Sequence, residues 1–397
     1  MKPDVYIAIP TYWQGTKDRE GTREDLIFDH PTYLDGSDTL SASLESLANA
    51  DQSFPFRVLV LSAPIHPELE KEVTARVDSI IEQYRDRLDI GHFHGETLRL
   101  LQHHLQQKGF NPKHLSLQGY AAIRNCQLAV PSILGASLIA AIDDDEIVPY
   151  DYPERIQRYA GKNGIDLIAG RYRYENGKTF VHDRSEGRKD AGLFLKKQRY
   201  QNMVYQDIED TPEDLVDTSI VLGGNMVFSR DLFTHVPFDP FIRRGEDIDY
   251  MINTAMAGFT WKCDKNLWID HYPPACEERS KLQEDVIRFL YERAKIKESN
   301  RQEGFNSITA ADLGPYPGLF LQDNLEEEAL LALHGRDTAI QQEPWYLTPE
   351  EVLEEGSRLS SEVTGYFDFA RMWPEMLASL IEDKRVAYLL ETMIYKI

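Results

Sequence analysis

The sequence predicts an α/β fold: a doubly wound, mostly parallel sheet followed by a helical carboxyl-terminal region. Three observations carry this expectation. From residue 5 to about 142, short apolar runs alternate with helical segments, as strands and crossover helices of a parallel sheet do. One run, SLIAAIDDDEI at 137–147, ends abruptly in Asp143, Asp144, Asp145 and Glu146, and open α/β sheets bind ligands at the carboxyl ends of their strands. From about residue 278 the chain is Glu-rich, and Leu282, Val286, Ile287, Leu290 and Ala294 keep a 3.6-residue rhythm.

Val5–Ile9 reads as the first strand, ended by Pro10. Residues 10–38 form a polar loop longer than compact domains usually carry without a functional reason. Leu40, Leu44 and Leu47 share a face, which predicts a helix over 39–50, with LDGSDT (34–39) as its cap. Arg57–Ser62 is a second strand, 67–87 a charged amphipathic helix, and 89–93 a third strand. Helices are expected at 96–108 and 120–130 before the strand that stops at Asp143. Strand-like segments follow at Asp166–Tyr174, Thr218–Phe228 and 266–274, with a turn at Asn176-Gly177. Thr348-Pro349-Glu350-Glu351 is a capping box with proline at the first helical position, so it opens a further helix. The expected division is a catalytic domain over 1–277 and a helical domain over 278–397.

A formal charge of −23 argues against nonspecific binding to nucleic acid or an anionic membrane. The three cysteines, Cys126, Cys263 and Cys276, contain no CxxC pair and cannot pair completely. The amino-terminal residues pass straight into a strand, and no apolar run is long enough to span a bilayer. A reduced, cytoplasmic setting is therefore expected, and a homo-oligomer is compatible with the sequence.

Four crowded carboxylates repel one another unless a cation neutralises them. Mg²⁺ or Mn²⁺ shared with a diphosphate would do so, since these ions take one or two protein carboxylates and fill the rest with phosphate oxygens and water. The plainer reading of such a run is a solvated turn capping the next helix. Residues two apart in an extended segment point the same way, so Asp143 and Asp145 can converge while Asp144 points elsewhere. Downstream, Glu246 and Asp247 precede an apolar helical run. Acids there suit the helix dipole, or one could take a proton from a hydroxyl.

Taken in order, IPTY (9–12), GYAAIRN (119–125), the Asp143–Asp145 triplet, and Gly245-Glu246-Asp247 preceded by Gly223-Gly224-Asn225 resemble the motifs of nucleotide-sugar glycosyltransferases of the GT-A fold. The likeness is closest to glycosyltransferase family 2 and covers roughly residues 5–272. The resemblance implies a Rossmann-like GT-A domain and an NDP-sugar donor, UDP- or GDP-linked. It places Pro10, Thr11, Tyr12, Arg124, Asn125, Asp143, Gly224 and Asn225 at the nucleotide sugar. The metal, Mn²⁺ or Mg²⁺, falls to Asp143, Asp145 and His271, the last in IDHYPP. Asp247 is the implied base, with Glu246 holding the acceptor; a retaining reaction would make both of them ligands instead.

The chain also departs from the family. Leu61-Ser62-Ala63-Pro64 stands where an acidic DDGS-like motif is usual, and Gln118 where several relatives have a phosphate-binding lysine, so Arg124 would carry that load. Residues 171–199 hold nine cations against four acids. They read as a solvated hairpin, or as a site for an acceptor bearing a carboxylate or phosphate; Arg243 and Arg244 could assist or face the leaving diphosphate. His92, His94, His103 and His104 read as surface histidines. The rivals are a sugar-phosphate nucleotidyltransferase, which should carry a Gly-rich basic signature where PTYWQGT stands, and a catalytically degenerate scaffold.

Overall fold

The computed structural model describes residues 3–16, 28–29, 31–174, 177, 179–180, 185–186, 192–273, 281–335 and 347–396. The strands are β1 (Val5–Gln14), β2 (Thr32–Tyr33), β3 (Arg57–Pro64), β4 (Ile90–Phe93), β5 (Leu138–Ala141), β6 (Glu146–Ile147), β7 (Leu167–Arg173), β8 (Leu215–Asp217), β9 (Met226–Ser229) and β10 (Lys262–His271). The helices are α1 (Leu40–Ala48), α2 (Glu70–Ile81), α3 (Gly95–Gln107), α4 (Tyr120–Ile133), α5 (Tyr152–Ile156), α6 (Lys197–Asp210), α7 (Arg230–Phe233), α8 (Glu246–Met256), α9 (Leu282–Ser299), α10 (Leu325–His334), α11 (Pro349–Ser360), α12 (Thr364–Ile381) and α13 (Lys384–Tyr395).

The strands form one sheet in the order β4-β3-β1-β5-β9-β7-β10-β6, with β2 beside β1 and β8 beside β10. Its first four strands are parallel. Buried on both faces, they read as near-continuous apolar runs rather than alternating ones. β9 is antiparallel to both β5 and β7, and β6 is antiparallel to β10. The expected α/β class therefore holds, with a more mixed sheet than the sequence suggested.

Pro10 does not end β1, which continues to Gln14. The pairing with β5 stops at Ala8, so at Pro10 only β3 lies alongside, opposite Leu61. A strand tolerates a missing N–H where one side has no partner. Of Thr218–Phe228 only the last three residues are strand. The capping box at Thr348 is formed: its hydroxyl accepts from Glu351 N at 3.2 Å, and Thr348 N donates to Glu351 Oε2 at 2.7 Å. The turn at Asn176-Gly177 lies largely outside the described residues.

His92 is not at the surface. It is 1% exposed, with Nδ1 at 2.9 Å from Asp78 Oδ1 and Nε2 at 2.8 Å from Ser62 Oγ. Beyond residue 281 every described element is helical, and these helices grip the sheet through buried charge. Arg57 of β3 pairs with Asp89 and with Glu391 of α13 at 2.8 and 2.9 Å, beneath the Tyr395 ring. Lys295 of α9 is fully buried between Asp239 and Asp249 of α8.

Candidate active site

The acidic strand end, the start of α8 and the end of β10 open on one cleft of about 370 Å³. Tyr12, Arg124, Asp143, Asp145, Glu246, Asp247 and His271 line it. These seven predicted residues, scattered over 260 positions of sequence, are brought together by strand order and by one register. β6 runs antiparallel to β10 with Glu146 opposite His271, and Tyr272 N donates to Asp145 O at 3.0 Å. That pairing carries the imidazole to the carboxylates.

Asp145, Glu146 and His271 each offer a ligand atom, and the three atoms lie within 4.8 Å of one another. His271 Nε2 is 3.5 Å from Asp145 Oδ2, and its ring lies against Tyr172, centroids 4.5 Å apart. Glu146 Oε1 and His271 Nδ1 are buried without a hydrogen-bond partner. Buried polar atoms are normally satisfied, so two orphans beside a third donor fit a cation. Two carboxylates and an imidazole suit Mn²⁺ better than Mg²⁺, because nitrogen favours the later ion.

The clustered atoms are those of Glu146, Asp145 and His271; Asp143, expected as a ligand, is not among them. Asp143 is instead turned to Arg124, whose Nη2 lies 2.9 Å from Oδ1, while its backbone N donates to Glu146 Oε2 at 2.7 Å. Burial drives the Glu146 carboxyl well above its usual range, and Asp143 and Asp145 push it further the same way. A carboxylate in that state ionises readily only if a cation joins it.

Gly224 is where it is because of Glu146. A Cβ there would sit 1.9 Å from Glu146 Oε1. Gly224→Ala should therefore displace that carboxylate, weakening Mn²⁺ binding about tenfold at a stability cost of about 1–3 kcal/mol. Calorimetric Mn²⁺ titration and thermal melting of the variant check this.

Arg124 is 3% exposed and fully engaged by the protein. Nε donates to Glu246 Oε1 at 3.2 Å and Nη1 to Gln127 Oε1 at 3.1 Å, besides the Asp143 contact. It ties the acidic strand to α8, so the cation expected to meet the donor's phosphate is already paired with two carboxylates. Asn125 and Asn225 are fully enclosed. The Asn125 amide exchanges hydrogen bonds with the Phe238 backbone at 2.9 and 2.8 Å. Asn225 donates to Arg171 O and Leu267 O and accepts from Tyr152. Both amides join backbone segments rather than face the cleft. Pro10 lies within β1, and Thr11 donates to Asp144 Oδ2 at 2.6 Å. Asp144 itself, expected to point away, lines the cleft; burial pushes its carboxyl up to about 8.

Glu246 and Asp247 sit in different surroundings. Burial pushes Glu246 up to about 7 against the opposing pull of Arg124. Asp247 is half-buried; its Oδ2 accepts from Gly223 N at 3.2 Å and its Oδ1 from Ile248 N at 2.8 Å. Adjacent carboxyls with divergent environments are suited to divided acid and base roles.

Of the remaining lining, Lys197 and Arg244 were candidate cations from the sequence, whereas Asp29, Lys281, Asp285 and Arg288 carried no signal there. Tyr12 packs against Phe28 and Tyr120, with centroids 4.4 and 5.2 Å away, and its buried hydroxyl has no partner. Asp29, Lys197, Arg244, Lys281, Asp285 and Arg288 also line the cleft. Of the basic segment 171–199, Arg171 and Arg173 are spent on Glu209 and Asp270, and among the described residues only Lys197 reaches the cleft. Residues 178, 184, 188 and 189 lie outside the described residues. Arg243 is 78% exposed and stands 3.9 Å from Glu355 rather than in the cleft.

No protein-family profile matches the chain, and neither does any curated protein. Among solved structures, the chain is similar to the mannosyltransferase PcManGT from Pyrobaculum calidifontis, solved with GDP-Man and Mn²⁺. Identity is 13%, covering 98% of this chain and 87% of that one, with a TM-score of 0.44. It is also similar to residues 1–349 of S. aureus TarS, at 10% identity over 97% and 91% of the two chains and a TM-score of 0.44. A third is GalNAc-T7 with UDP, GalNAc and Mn²⁺, at 13% identity over 76% of this chain and 52% of that one, TM-score 0.41. Among the described residues no helix is long and apolar enough to cross a membrane.

Proposed function

We propose that the chain is a metal-dependent glycosyltransferase of the GT-A type, moving a sugar from a UDP- or GDP-linked donor to an acceptor hydroxyl. The observation that carries this is the meeting, in one cleft, of a carboxylate-and-imidazole cluster with a second acidic pair on a helix amino terminus. The order of the sequence motifs supports the same reading. With it goes a catalytic portion, 1–277, buttressed by a helical portion, 278–397.

Asp145, Glu146 and His271 would hold a divalent cation, Mn²⁺ or Mg²⁺, which supplies Lewis-acid neutralisation of the departing diphosphate. Asp247 accepts the proton of the acceptor hydroxyl as its oxygen attacks the anomeric carbon, and the bond from that carbon to the diphosphate oxygen breaks. Glu246, its carboxyl raised by burial, hydrogen-bonds the acceptor. Arg124 fixes the distance between the two acidic groups. The acceptor is a small molecule bearing a carboxylate or phosphate, a reading supported by Lys197, Arg244, Lys281 and Arg288 in the cleft lining. Screening UDP- and GDP-sugars for hydrolysis with and without Mn²⁺ tests the proposal; hydrolysis of none of them, with or without acceptors, would reject it.

A further inference from the structure

We infer that Arg244 and Lys281 form the subsite for the acceptor's anionic group, and that Asp29 is its resident stand-in. The inference rests on reading the cleft as a transferase site. A single oxygen, Asp29 Oδ2, accepts from Arg244 Nη2 at 2.8 Å, from Arg244 Nε at 3.1 Å and from Lys281 Nζ at 2.8 Å. The guanidinium fork is built to meet two oxygens side by side, and here both its nitrogens converge on one. A carboxylate or phosphate entering from the cleft can offer an oxygen to each.

The charge balance points the same way. The neighbouring cations have other partners: Lys197 pairs with Asp285 at 2.7 Å, and Arg288 with Glu292 at 2.9 Å. Arg244 and Lys281 share Asp29, with Glu284 Oε2 farther off at 3.9 Å from Arg244. All three groups of the proposed exchange line the cleft and are partly open to solvent. Arg244 directly precedes Gly245-Glu246-Asp247, so an anion held there places its molecule beside the proposed base.

The carboxylate can leave without its backbone. Phe28 is buried against Tyr12 and Tyr120, and Asp29 N donates to the Tyr120 hydroxyl at 2.6 Å. Rotation of the Asp29 side chain would withdraw this oxygen from both cations, leaving Glu284 3.9 Å from Arg244.

Titration with inorganic phosphate in metal-free buffer tests this. Asp29→Asn keeps the size of the side chain and removes its charge, and it should bind phosphate at least tenfold more tightly than the wild type. The double variant Asp29→Asn with Arg244→Gln should lose that gain. Saturating UDP or GDP with Mn²⁺ should leave the gain in place, because the proposed function assigns the donor's diphosphate to the cation held by Asp145, Glu146 and His271. No gain, or a gain that survives Arg244→Gln, overturns the subsite. A gain abolished by nucleotide assigns the cations to the donor's diphosphate and overturns the acceptor assignment. If Asp29→Asn melts early, phosphate should raise the melting temperature of the wild type and not of Arg244→Gln, and equal protection overturns the subsite. Failure of the transferase reading registers separately, as no Mn²⁺-dependent nucleotide binding by the wild type.

Discussion

Asp145→Asn should reduce turnover to background while leaving the fold intact. The side chain lies 3.5 Å from His271 Nε2 and shares the ligand cluster with Glu146. Asp143, Asp144 and Glu146 crowd the same turn, and their mutual repulsion is unfavourable without a cation. Removing one charge therefore costs the metal-free protein little, and its melting temperature should be equal or higher. Steady-state rates over a Mn²⁺ series, with melting curves in chelator, check both halves. Near-normal turnover at saturating Mn²⁺ would contradict the assignment.

Asp247→Asn should lower kcat by roughly 10²–10⁴-fold, the usual contribution of a positioned base. Its two backbone hydrogen bonds, from Gly223 and Ile248, hold the carboxylate in place. The substitution removes basicity with little change of shape. Donor affinity should stay within a few fold, since the loss falls on the acceptor side. A large rise in donor Kd with kcat preserved would move Asp247 to the sugar, and a product of retained configuration would remove the base role.

The residues of the site differ in how visible they were from the sequence. Asp145 and Asp247 declare themselves locally, as acids where an apolar strand ends and where an apolar helix begins. Glu146 did not, because its part depends on β6 pairing antiparallel with β10 across more than a hundred residues. Alternation along a short strand says nothing about its partner or direction. Arg124 was visible as a cation near the site, but its burial between Asp143 and Glu246 is a tertiary fact. Asn125 and Asn225 look like ligands in a motif, yet their amides close backbone gaps. Composition cannot distinguish the two uses. Which cations line the cleft was hidden for a similar reason: Arg171 and Arg173 are as basic as Arg244 and Lys281, and only packing shows which of them face it. Strand and helix positions survived better. Their period is local, and the miss at Pro10 came from judging a proline without knowing that its strand has one neighbour there.

Calorimetric titration of UDP and GDP into the wild type and His271→Ala, each with and without Mn²⁺, tests the central claim most directly. The account predicts that one nucleotide binds the wild type at least tenfold more tightly with Mn²⁺ than without, and that His271→Ala loses most of this gain while melting near the wild-type temperature. Binding of neither nucleotide in the presence of Mn²⁺, or an undiminished metal effect in His271→Ala, would contradict it.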